Sequence, residues 1–121
     1  MFREDHKSEY IFTRFFIIFS MSYCYILFSK KLNKFYTGFT QNSVVDRLEK
    51  HNSNAYGKHF TSIANDWEIF LSIKCDTNSQ AVKIEKHIKA MKSTTYIKNL
   101  SKYPEIIEKL LLKYKDTWLL R

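Results

Sequence analysis

The chain has 121 residues, 45% of them hydrophobic, and its 20 Lys and Arg against 12 Asp and Glu give a net charge of +8. This length allows one domain with a core able to fold without staples, and it excludes a multi-domain reading. The charge favours polyanionic partners, nucleic acid first, through Coulomb attraction and counterion release, although a lysine excess also serves solubility alone.

Residues 1–20 read as an N-terminal extension that need not belong to the domain proper, residues 22–100 as the domain, and residues 101–121 as a C-terminal helix packing on it. The run Phe15 to Phe28 is largely apolar. It falls short of the roughly 20 residues that cross a bilayer, so no membrane association is expected. Arg14 with the phenylalanines after it faintly resembles a signal peptide, which keeps a secreted or membrane-associated protein as a distant reading.

Tyr23 to Phe28 and Lys34 to Phe39 are β-branched and aromatic, and Ser29 to Asn33 between them is polar, so the pair reads as an antiparallel hairpin. Ser43 then precedes Val44, Val45, Asp46 and Leu48, which predicts a capped helix over residues 44–52. Asn54 and Gly57 open a loop through Asn65 that carries Tyr56, Lys58 and His59. From Trp67 to Cys75 apolar residues alternate, so a third strand should turn its odd-numbered residues to the core. Ala81, Ile84, Ile88 and Met91 recur at helical spacing and predict a helix over residues 80–92, with Glu85 at the edge of the apolar stripe. Tyr96 to Leu100 reads as a short helical turn, and Pro104 as the first residue of a final helix. The fold class is α+β: a small, mostly antiparallel three-stranded sheet flanked by helices.

Cys24 and Cys75 lack metal-site spacing and the density of a disulfide scaffold, so they read as buried reduced thiols in a cytoplasmic protein. The four histidines form no HExxH-type pattern, and no structural metal is implied.

Hydrolysis of a phosphodiester needs an activated water, a cation for the charge on the transition state, and help for the leaving oxygen. If the hairpin pairs Tyr25 with Tyr36 across one face, their phenols share a pocket, although tyrosine is also an ordinary strand residue. Arg47 and His51, four apart on one helical face, suit joint contact with a phosphate, or else a solvated surface. Glu85 suits a hard cation held by few carboxylates and many waters, or else pairs with Lys89. Gly38, having no side chain, would let a phosphate approach the strand backbone. Lys58, Lys83, Lys86, Lys89 and Lys92 are candidates to follow a phosphate backbone.

In this order Tyr23-Cys24-Tyr25-Ile26-Leu27, Phe35-Tyr36-Thr37-Gly38-Phe39-Thr40, Arg47-Leu48-Glu49-Lys50-His51-Asn52 and Ala81 to Glu85 resemble the catalytic core of the GIY-YIG nuclease family. The match spans roughly residues 22–92 and is similar to small stand-alone members and to the family's excision-repair (DNA repair) nuclease domain. The first motif lacks its glycine, the second lacks its isoleucine, and one extra residue lies in the turn Gln41 to Ser43. The resemblance implies a metal-dependent endonuclease cutting DNA with one magnesium or manganese ion. It also implies roles. Tyr25 and Tyr36 would position or deprotonate water, Arg47 would bind the phosphate, His51 would assist proton transfer, Glu85 would hold the metal, and Asn99 would end the site. The alternative is a basic nucleic-acid-binding module on a nuclease scaffold with little or no catalysis.

Overall fold

A computed structural model describes residues 22–53 and 60–116; the N-terminal extension and Tyr56, Lys58 and His59 lie outside them. Strand β1 (Ser22–Ser29) is the centre of a sheet ordered β2-β1-β3, flanked by β2 (Lys34–Thr40) and β3 (Glu68–Cys75), both antiparallel to it. The sequence of β1 accounts for that place, because Cys24, Tyr25, Ile26 and Leu27 are all buried and successive side chains feed opposite faces. The second half of the apolar run at Phe15 to Phe28 is therefore strand, and no helix among the described residues is long and apolar enough to cross a membrane.

Helix α1 (Val44–Asn52) starts at Ser43, whose hydroxyl accepts from the amides of Val45 and Asp46 at 3.2 and 3.5 Å. A short 3-10 turn (Phe60–Ile63) follows, then β3 and helix α2 (Asn78–Met91), capped by Thr77 and ended by Lys92 in the left-handed region. The expected turn near Tyr96 is a full helix, α3 (Thr94–Lys102), because the Ser93 hydroxyl caps it by accepting from the Tyr96 amide at 3.0 Å. Helix α4 (Pro104–Lys113) begins on its proline. The α+β class with an antiparallel sheet and four helices among the described residues is as read from the sequence.

Two cores form, one on each face of the sheet. Cys24, Ile26, Ile73 and Cys75 pack with Ala81, Ile84 and Ile88 of α2, Leu100 of α3 and Leu110 of α4. On the other face Tyr25 and Leu27 pack with Val44 of α1, Ala64 and Trp67. Both cysteines are free and buried, which pushes the Cys24 thiol far up and raises that of Cys75 to about 11.

The expected alternation along the third strand holds at Ile73 and Cys75 and then breaks. Ile26 pairs with Leu71 but Leu27 pairs with Ile69, so Phe70 is an extra residue in a bulge. Phe70 packs on the first core together with Leu71, while Ile69 is 39% exposed. The α2 stripe likewise stops one residue early: Met91 is 45% exposed, in the last turn of its helix.

Candidate active site

The hairpin register is the first determinant of the site. Tyr25 sits opposite Gly38, and Leu27 opposite Tyr36, so the two tyrosines are diagonal neighbours on one face and not the directly opposed pair that the sequence suggested. Their ring centroids are 6.4 Å apart, with the rings tilted by 44°. The missing side chain of Gly38 makes room for Tyr25 itself: a Cβ there would come within 2.7 Å of both the Cζ and the hydroxyl of Tyr25. That close approach corrects the expectation that the glycine leaves space for a phosphate.

Helix α1 supplies the second wall. Its single well-capped start sets the phase of Arg47 and His51, which share a face and both line a cavity of about 230 Å³. After the turn Gln41 to Ser43, Arg47 is anchored as its Nε donates to Thr40 Oγ1 at 3.1 Å. The Thr40 hydroxyl also accepts from the Asn42 amide at 3.0 Å, which fixes that turn. At the other end of α1, Asn52 donates to the Trp67 carbonyl at 3.0 Å and accepts from the Trp67 amide at 2.8 Å, clamping the helix to the start of β3.

His51 is 4% exposed and has polar contacts at both ring nitrogens. The Tyr25 hydroxyl lies 2.9 Å from Nε2 and the Thr61 hydroxyl 2.7 Å from Nδ1. Each hydroxyl can donate or accept, so the two contacts hold the ring in place and satisfy either tautomer. Thr61 is held in turn, because Trp67 Nε1 donates to its carbonyl at 2.9 Å. The Tyr36 ring packs 4.9 Å from the His51 ring, centroid to centroid.

Glu85 enters from α2, past the β2 edge of the sheet. It is 9% exposed and borders the same cavity as Tyr25, Tyr36, Gly38, Arg47 and His51. Its carboxylate pairs with Lys89, whose ammonium also stands 5.9 Å over the Tyr36 ring. The site thus already holds one positive charge against Glu85. Among the described residues no group of three or more His, Cys, Asp or Glu side chains gathers. A cation demanding a full protein cage would not fit there, whereas magnesium or manganese, which keeps most of its waters and takes one carboxylate plus substrate phosphate, would.

The structure therefore brings Tyr25, Tyr36, Arg47, His51 and Glu85 around one cavity, and leaves other candidates outside it. Asn99 lies on α3, where its carbonyl accepts from the Tyr103 amide, and does not border the cavity. The lysines in and just after α2 divide: Lys89 pairs with Glu85, Lys92 lines the neighbouring cavity along β2, Lys86 is exposed, and Lys83 lies 4.0 Å from Asp116. Lys58 falls outside the described residues. Thr40 and Thr61 were not legible as site residues, since each acts only through the partner that folding brings to its hydroxyl.

A sheet face carrying two phenols, faced by a helix with an arginine and a histidine and approached by a glutamate, is a set suited to phosphoryl chemistry. The family model for the GIY-YIG catalytic domain matches residues 21–99. The chain belongs to this nuclease family. The comparisons with curated proteins and with solved structures gave no match.

Proposed function

We propose that the protein is a metal-dependent endonuclease that hydrolyses phosphodiester bonds in DNA, working in the reducing cytoplasm that its free thiols suit. The observation that carries this reading is the convergence on one cavity of a hydrogen-bonded tyrosine and histidine, a guanidinium and a carboxylate. Membership of a nuclease family supports it.

With Nδ1–H of His51 donating to Thr61, Nε2 is left to accept the Tyr25 proton. Tyr25 then takes a proton from water at its hydroxyl oxygen, and the pair moves that proton from the nucleophile into the protein. Tyr36 holds the other side of the water site. Arg47, its stem fixed by Thr40, directs its forked donors at the phosphate oxygens, where charge grows in the transition state. Glu85 would hold the divalent ion, which supplies Lewis-acid stabilisation of that charge when bound. A module that only binds nucleic acid has no need of a buried carboxylate beside a histidine and two phenols.

The test is incubation of the purified protein with single-stranded, duplex and branched DNAs, with and without magnesium, beside Glu85→Gln. Magnesium-dependent cleavage that the substitution abolishes, with DNA binding nearly intact, is the expected result. Equal cleavage by both proteins across a magnesium titration would remove Glu85 from the metal site.

A further inference from the structure

Beyond the cavity at Glu85 the surface continues as a trough. A cavity of about 400 Å³ runs along the β2 edge between Lys34, Tyr36, Lys89 and Lys92. A second, of about 290 Å³, lies against Phe28, Phe70 and Lys98. The two share Asn33, Phe35 and Thr94, so they form one path. Its near end is Tyr36, which also borders the catalytic cavity, and Lys89, which pairs with Glu85.

The chemistry of the path has two parts. Lysines recur along it, and among the described residues no carboxylate borders either cavity. Its floor is aromatic: the half-buried Phe35 ring packs 4.8 Å from Phe28 and 5.0 Å from Phe70, centroid to centroid. Lysines alone would serve a duplex, which presents only phosphate and sugar to such a surface. Aromatic faces between lysines serve exposed bases, because a base offers its π-face only when it has left the stack. The bulge at Phe70 puts its ring on this face, where it packs on the first core and completes the floor.

We propose that this trough holds an unpaired stretch of DNA leading away from the scissile phosphate, so that the substrate is DNA with a single-stranded arm next to the cut. The proposal rests on the nuclease reading for what happens at the scissile phosphate, and on the trough alone for the arm.

The test is fluorescence anisotropy of the full chain in EDTA, comparing a labelled blunt duplex with the same duplex carrying a short oligothymidine arm. The arm should tighten binding about fivefold or more, the low end of what one stacked base contributes. In Phe70→Leu, which keeps an apolar side chain but loses the ring, and in Lys92→Gln/Lys98→Gln, which changes exposed residues, that ratio should fall toward one. Thermal melts would show that each variant is folded. A wild-type protein indifferent to the arm, or a preference that survives in both variants, overturns the proposal. Magnesium-dependent cutting with no arm preference overturns the trough alone. Arm preference lost in both variants, in a protein that cuts nothing, upholds the trough and removes the nuclease reading.

Discussion

The phenol of Tyr25 lies over Gly38, where the backbone of β2 has no side chain to obstruct it and a Cβ would meet the ring at 2.7 Å. This contact sets the hydroxyl toward His51 Nε2. Glycine at this position is required by the ring of the opposing strand, since its own backbone is ordinary extended chain.

Gly38→Ala should therefore act through Tyr25. The added methyl must push the phenol off its site, a form of overpacking that costs about 1 to 3 kcal/mol of stability. The cleavage rate should fall at least tenfold under conditions where the variant is still folded. Single-turnover rates beside a denaturant titration would check this, and an alanine variant with the wild-type rate would mean that the Tyr25 to His51 contact plays no part in chemistry.

Thr61→Val keeps the shape of the side chain and removes the hydroxyl from His51 Nδ1. A buried polar atom left without its partner costs about 1 to 3 kcal/mol. The tautomer balance of His51 should also move with the loss of that contact, and the pH profile of cleavage should shift. Nitrogen chemical shifts of the imidazole report the tautomer directly. Thr61→Ser should restore both readouts, whereas an unmoved tautomer in Thr61→Val would reduce Thr61 to a packing residue.

What could be read from the sequence follows from what is local. The hairpin, the Ser43 cap and the Pro104 start are dictated by residues within a few positions of one another, and all three appear in the fold. Arg47 and His51 were recognisable as a pair because four residues make one helical face. The bulge at Phe70 was not, because Ile69, Phe70 and Leu71 are all apolar and nothing in their order says which one leaves the ladder. Thr61 and Thr40 were hidden for a similar reason, as a hydroxyl carries no pattern until a tertiary partner stands beside it. The register also decided the meaning of Gly38, since only the pairing with Tyr25 shows what fills its space.

Lys89 occupies the place of a counter-ion at Glu85. Any divalent ion bound there must either displace the ammonium or share the carboxylate with it, and like charges oppose the sharing. Lys89→Gln should consequently tighten manganese binding by about twofold or more, the equivalent of a helical ion pair of this spacing. Electron paramagnetic resonance of unbound manganese measures this without any cleavage. An unchanged affinity would mean that the ammonium swings clear at no cost.

Asp66 ties the hairpin turn to the segment entering β3. The Ser29 hydroxyl donates to its Oδ1 at 2.6 Å and the Lys31 amide to its Oδ2 at 3.0 Å. Those bonds, the Ser29 hydroxyl foremost, hold its carboxyl below the ordinary value of 3.8. A carboxyl lowered on folding contributes stability that is fully present above its unfolded pKa and is lost as the pH falls through the folded one. Asp66→Asn replaces one acceptor oxygen with an amide that cannot receive either donor, so at neutral pH it should melt below the wild type. The gap should narrow as the pH falls below about 4, where the wild type loses the same contribution by protonation. Melting temperatures of both proteins from neutral to acid pH test the sign: a gap that stays constant, or widens in acid, would show that the carboxylate charge at Asp66 does not hold the turn.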